Sequence, residues 1–338
     1  MLDSSNVLEN FRVNKTMHSA VPLRTKIRVP SRRTVGRSKK FARALTGCIL
    51  SPIYWLLAHR YRVPGLDFRK KCALLACRLL FARLKGKYSL AEIYRLFFWP
   101  LDSVRYFEFA FSWQALKNLP IQRYLDISSP RLFPIMLALE KRQLQAELLN
   151  PHIVDLEKTR LLSKTLGLEL RCHADPYLIE AAPFDALSFD VITCISVVEH
   201  IPDDHRAVQK MWNLLTPGGH LILTVPCAAQ AREELIDQDE YGLLESNEDG
   251  FFFFQRYYDQ ELLSKIFFAI TGKPSRFAVY GEKVPGSYDR NQRRKRGDPD
   301  YPLWREPYMM GQEYGYFSSV DELPGVGVIA MEFVKPGA

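Results

Sequence analysis

Three acids sit where short apolar runs give way to turns: Asp126 in RYLDI, Asp155 in PHIVDL and Asp175 at the end of LELRCHAD. A carboxylate accepts two hydrogen bonds at once, so acids at such places suit a ligand with hydroxyl or amine donors or positive charge. A fourth run, FDVITCIS, leads into Ser196–His200, which reads SVVEH. His200 follows that run and has an ordinary pKa near neutrality, which makes it the best-placed candidate base. A second role for it, orienting the backbone or Glu199, is the one favoured. Tyr257 and Tyr258 are further pocket candidates, and His205 and His220 read as structural. The histidines lack metal-ligand spacing, so no metal is expected.

These residues need elements to hold them. RYLDI (123–127), PHIVDL (151–156), LELRCHAD (168–175), FDVITCIS (189–196), HLILTVPC (220–227), SRFAVYGE (275–282) and GVGVIAMEFV (325–334) read as strands. Between them 132–144, 157–166, 203–215 and 259–272 read as helices. TPGG (216–219) stops the third, and Asp259 and Gly272 bound the fourth. Such alternation means an α/β fold: a mostly parallel sheet with helices on both faces, binding ligands outside the carboxyl ends of its strands. Upstream, 89–100 reads as a helix with a Ser89/Glu92 capping box, and 101–116 as an aromatic-rich one.

The stretch ADPYLIEAAPFDALSFDVITCISVVEHIPDDHRAVQKMWNLLTPGGHLILTVPC (174–227) resembles the class I S-adenosylmethionine-dependent methyltransferases, more narrowly the type-11 group. The resemblance covers roughly residues 120–280 and, less clearly, the last strand. It implies a seven-stranded Rossmann-like sheet whose last strand is antiparallel beside the sixth, and S-adenosyl-L-methionine as cofactor. By position it places Asp155 on the ribose hydroxyls, with Glu157 as substitute if the second strand runs longer. Asp175 goes beside the adenine amino group, and Asp126, Ser128 and Ser129 at the methionine end. Ser196 to His200, including Glu199, line the cofactor on the substrate side. One departure is large. The family's D-x-G-x-G-x-G reads here Asp126, Ile127, Ser128, Ser129, Pro130, Arg131, Leu132. The lost glycines permit close backbone approach and unusual dihedrals, and Pro130 removes an amide unless it opens the following helix. An active enzyme with a rebuilt turn is favoured over a catalytically silent module used for scaffolding or regulation.

The chain has 338 residues, 47% hydrophobic and 25% charged, so it can bury a core and wholesale disorder is excluded. Six cysteines without a CxxC pair argue against a zinc ribbon or a disulfide framework and fit a reducing, cytoplasmic setting. Residues 1–88 carry 20 Lys/Arg against Asp3, Glu9 and Asp67, a net of +17, while the rest is net −9. Residues 1–40 read as a basic disordered tail, 41–118 as a helical cap, and 119–338 as the catalytic domain with a basic insertion at 283–322. The uncharged run 44–58 is too short to span a bilayer and is interrupted by Pro52. The aromatic-rich stretch 41–61, with Tyr54 and Trp55, is the better candidate for an anionic membrane-surface contact, and a peripheral location follows from it. Residues 68–87 read as a basic amphipathic helix, either interfacial or packed as a cap, with the cap favoured. No nucleic-acid motif accompanies the charge. The acceptor is expected to be a small molecule, or a lipid- or glycan-linked one presented at a membrane. The aromatics of 89–116 and 301–308 either cover it or seal the fold, and QRRKR (292–296) either holds an anionic group or lies in solvent.

Overall fold

The computed structural model describes residues 22–28, 37–84, 89–102, 104–169, 171–239, 242–297 and 301–337. Part of the expected tail is ordered structure: β1 (Leu23–Ile27) pairs in parallel with Arg232–Ile236. Its exposed face is anchored by Arg24–Glu233 (3.1 Å) and Lys26–Asp249 (2.7 Å) ion pairs. Residues 1–21 and 29–36 of that tail lie outside the described residues.

Four helices make the cap: α1 (Arg37–Arg60), α2 (Leu66–Leu84), α3 (Leu90–Phe98) and α4 (Arg105–Leu116). Ser89 stands at the N-cap of α3 but makes no side-chain capping bond, so the expected capping box is absent. In α2, Phe68, Cys72, Leu75, Ala76 and Leu79 share one buried face in a core with α4 residues. That face packs as a cap helix would, whereas Leu74, Leu80 and Phe81 of the expected Leu face are exposed, and positions 85–87 lie outside the described residues.

The body is a sheet of eight strands. In chain order come β2 (Arg123–Ile127), α5 (Leu132–Glu140), β3 (Gln145–Leu149), α6 (Ile153–Thr165), β4 (Cys172–Asp175), β5 (Phe189–Ile195), α7 (Asp204–Leu214) and β6 (Leu215–Ala228). Then follow β7 (Arg232–Ile236), β8 (Phe252–Tyr257), a helix over 260–271, β9 (Arg276–Glu282), helices Ser287–Gly297 and Glu306–Glu313, β10 (Tyr314–Phe317) and β11 (Val326–Val334). The sheet order is β10-β9-β11-β6-β5-β2-β3-β4, and β1-β7-β8 form a small separate sheet. Strands β2 to β6 run parallel, and β11 is antiparallel between β6 and β9, as expected. The eighth strand is β10, an edge strand from inside the 283–322 insertion.

Side chains alternate between two cores. Tyr124, Ala146, Leu148 and Val191 face α2, α4 and α5, whereas Leu125, Ile192, Cys194 and Leu223 face α7 and the 260–271 helix. Both faces are covered, which a parallel sheet requires. Two boundaries differ from expectation near the site. PHIVDL is not a strand: β3 is QAELL, and Ile153 begins α6. TPGG does not cap α7, because Leu215 is already extended and the glycines belong to β6.

Candidate functional site

The carboxyl ends of β2, β3 and β5 open into two cavities of about 640 and 460 Å³ that share Arg105, Ser128, Pro130, Asn150 and Asp155. A third, of about 160 Å³, shares Arg105, Ser196 and His200 with the second. Together they form one cleft at the place where parallel α/β sheets bind ligands.

The β2–α5 turn is rebuilt rather than blocked. Ser128 occupies the first glycine position with φ +49°, a left-handed conformation usually left to glycine. Its N–H and Oγ both donate to Leu149 O, at 2.8 and 2.9 Å, which holds that conformation. Ser129 Oγ accepts the Ile195 N–H at 3.0 Å and so ties the turn to β5. Pro130 precedes α5 and its carbonyl accepts the Phe133 N–H. Its missing amide falls where a helix start has no intrahelical acceptor. These residues line the cleft wall and do not fill it.

Asp126 does not reach the ligand space. It is buried beneath the turn, with Tyr124 Oη and Thr193 Oγ1 within 3.1 Å of Oδ1, and the Ser129 N–H donating to Oδ2 at 3.1 Å. Burial raises its pKa to about 6 against the pull of those bonds. Its work is to shape the turn.

Asp155 lines both large cavities, but from the first turn of α6 and not from a strand end. Its side chain is 49% exposed, 3.6 Å from both His152 and Lys158. The residue that follows β3 is Asn150, whose Oδ1 accepts the His152 N–H and which lines the same two cavities. The alternative Glu157 lines neither of them. Asp175 ends β4 as expected, yet lines neither large cavity, and its carbonyl accepts the Asn150 N–H. The wall there is Tyr177, Leu178, Ile179 and Glu180.

The centre of the cleft is a charge cluster. Glu108, fully buried on α4, accepts from Arg105 Nη1 (2.8 Å), Thr224 Oγ1 (2.8 Å) and Ser196 Oγ. Burial opposes the Arg105 charge, but the Glu108, Asp102 and Glu199 carboxyls outweigh it and hold its pKa above the ordinary value. Ser196, just after β5, also has a left-handed backbone, φ +48°. Glu199 is buried and its Oε2 has no hydrogen-bond partner among the described residues. Burial pushes its pKa up to about 8, so it is largely a neutral acid at physiological pH. His200 Nδ1 lies 2.6 Å from Phe254 O, a carbonyl, so Nδ1 carries the proton and donates. Burial lowers its pKa to about 4, which makes it a weak base and a positioning group, the role favoured from sequence.

Tyr257 lines the smallest cavity, whereas Tyr258 is buried elsewhere and donates to Asp204 at 2.8 Å. His220 is structural, paired with Glu332 at 2.8 Å. Within QRRKR, Lys295 reaches the rim and is held by Asp102 and Glu306, and Gln292 lines the smallest cavity. Of the cap aromatics only Trp99 lines the large cavity, while Tyr106 and Phe107 are sealed into the core. Tyr54, Trp304 and Tyr308 pack on one another. Arg131 also lines the large cavity, and its side chain makes no hydrogen bond or ion pair among the described residues. Among those residues no group of three or more His, Cys, Asp or Glu is arranged to hold a metal.

Sequence reasoning missed Asn150, Arg105 and Glu108. Asn150-Pro151 carried a signal, since Asn-Pro favours turn initiation and so ends a strand. Arg105 and Glu108 are charges three apart in an otherwise apolar aromatic helix, the pattern of a buried pair.

Residues 138–267 match a family described as a methyltransferase domain. The match begins beyond the altered β2–α5 turn. A ubiquinone biosynthesis O-methyltransferase from Coxiella burnetii is 30% identical over 76 residues, 22% of this chain and 31% of that protein. A demethylmenaquinone methyltransferase from Deinococcus radiodurans is 28% identical over 114 residues, 32% of this chain and 45% of that one. The chain thus spans less than half the length of these curated relatives. Coclaurine N-methyltransferase, solved with N-methylheliamine and SAH, has a TM-score of 0.43 at 12% identity, covering 67% of this chain and 69% of its own.

Proposed function

We propose that this chain, whose residues 138–267 match a family described as a methyltransferase domain, transfers a methyl group from S-adenosylmethionine to a small-molecule acceptor bearing an anionic group. The observation that carries the reading is the joined cleft at the carboxyl edge of the parallel strands, with Asp155 and Asn150 on its wall and Arg105 and Arg131 facing the same space. The donor set suits that cofactor. Asp155 and Asn150 supply acceptors for ribose hydroxyls, Tyr177, Leu178, Val197 and Ile201 offer apolar surface to a purine, and Arg131 supplies a cation for a carboxylate. The left-handed turn at Ser128 preserves the backbone course that glycine usually provides. When bound, the sulfonium supplies an electrophilic methyl carbon and a good leaving group.

The chain's own work is positioning and exclusion of water. Arg105, fixed by Glu108, stands at the junction of all three cavities and holds an anionic acceptor group there. Glu199, protonated near neutrality, adds no competing negative charge. His200 fixes the turn at the end of β5 through Phe254 and does not take the proton. The names of the Coxiella burnetii relatives support oxygen as the accepting atom.

Calorimetric titration of the full chain with S-adenosylhomocysteine tests the donor site. Micromolar binding is expected. Asp155→Ala, which removes charge-assisted bonds worth about 1.5–3 kcal/mol, should weaken it by about 10- to 100-fold. No binding by folded protein overturns the reading.

A further inference from the structure

Helix α1 is amphipathic in the wrong sense for a helix in water. Its inward face carries its polar and aromatic handles. Ser51 Oγ meets Phe98 O at 3.2 Å and Arg69 of α2, and the Ala44 carbonyl accepts from Tyr94 Oη at 2.7 Å. Tyr54 packs at a tilt against Trp304 and Tyr308, with Arg305 over its ring. Its outward face is apolar: Leu45 is 55% exposed, Ile49 62%, Ile53 49% and Leu56 64%. These positions follow the helical period and share one side with exposed Pro52. The stretch from Ala44 to Ala58 contains no charged residue and spans about 20 Å of helix.

Basic residues flank this stretch in sequence. Residues 37–84 hold 11 Lys/Arg against a single acid, Asp67. Arg37, Lys39, Lys40 and Arg43 open α1, His59 and Arg60 close it, and Lys70 of α2 lies 6.0 Å over Trp55. On α2 the exposed Leu74 and Phe81 alternate with exposed Lys70 and Arg78. No helix among the described residues is long and apolar enough to cross a membrane. An apolar face within a cationic border, on a helix that does not span, is the chemistry of a segment lying in the headgroup region.

We propose that the outward face of α1 docks this chain onto an anionic lipid bilayer, with Leu45, Ile49, Ile53 and Leu56 entering the acyl boundary and the flanking Lys and Arg residues meeting headgroups. The inward face of α1 rests on α3, and α3 with its C-cap Trp99 supplies Glu92, Arg95, Leu96 and Trp99 to the large cavity. The cleft therefore lies one helix away from the bilayer, and an amphiphilic anionic acceptor has a short path to it. This last step rests on the proposed methyl transfer, whereas the docking itself does not.

The test is vesicle flotation of the full chain, using phosphatidylcholine alone and phosphatidylcholine mixed with phosphatidylglycerol. Binding to the anionic vesicles, weak on the neutral ones and weakened by salt, is expected. Ile49→Glu, Ile53→Glu and Leu56→Glu combined should lower partitioning about a hundredfold or more, with unchanged circular dichroism because the positions are exposed. S-adenosylhomocysteine affinity, measured on the same samples, should not change, so failure of docking and failure of the donor site are told apart. Three outcomes overturn the proposal: no flotation by folded protein, flotation that survives the triple change, or a concentration-dependent dimer abolished by that change in protein that ignores vesicles.

Discussion

Ser128, Asp155 and Glu199 show how far residue types alone carried the reading. The DISSPRL turn was visible as a departure. That it survives through a left-handed Ser128 anchored on Leu149 O was not, because the anchor comes from the next strand. Asp155 was chosen for the wrong reason and still lines the cleft, since the first turn of α6 points at the same space as the end of β3. Glu199 carries a pH prediction. Burial lifts its folded pKa from 4.5 to about 8, so the folded state holds a proton that the unfolded chain releases. The stability from this group is therefore full below about pH 4.5, is lost as pH rises toward about 8, and stays lost above. Glu199→Gln should remove this dependence, so the melting temperature of the variant should rise relative to the parent across that window. Melting curves that stay parallel from acid to alkaline pH would contradict the assignment.

At the scale of elements, α4 connects the cap to the sheet. Its aromatics were open to two readings in sequence, covering an acceptor or sealing the fold, and Tyr106, Phe107 and Phe109 are buried. Its Glu108 reaches the ends of β5 and β6, and sequence gave no hint of those partners, 88 and 116 residues away. Removing one member of a buried charge pair costs about 3–5 kcal/mol. Glu108→Ala should lower the unfolding free energy by about that amount in denaturant titration, while Glu108→Gln, which keeps the shape, should lose less. Equal small losses from both would mean the pair is dispensable. The misplaced second strand has a plain cause. Ile153 and Val154 favour strands but are exposed at the start of α6, whereas QAELL, poor in β-branched residues, is buried as β3. Neighbours on both sides of β3 overrode local propensity.

At the scale of the whole molecule, α2 is packed into the fold. Phe68 of α2 packs edge-on to Phe109 of α4 and stacks on Phe133 of α5, and Lys71 lies 4.5 Å over Trp113. A chain beginning at Ser89 should therefore lose near-ultraviolet circular dichroism and cooperative melting. A cooperative transition at the parent temperature would show the cap to be separable. The sequence by itself determined the α/β class, the strand-end location of the site, the methyltransferase resemblance and the charge division. Each of these follows from local period, turn chemistry or short motifs. Only the tertiary structure decided that Asp126 is internal, that Asn150 follows β3, that buried Glu108 holds Arg105 at the wall of the cleft, and that α1 turns its apolar side outward. Those facts depend on contacts between distant segments, and a linear pattern does not encode which of two faces finds a partner.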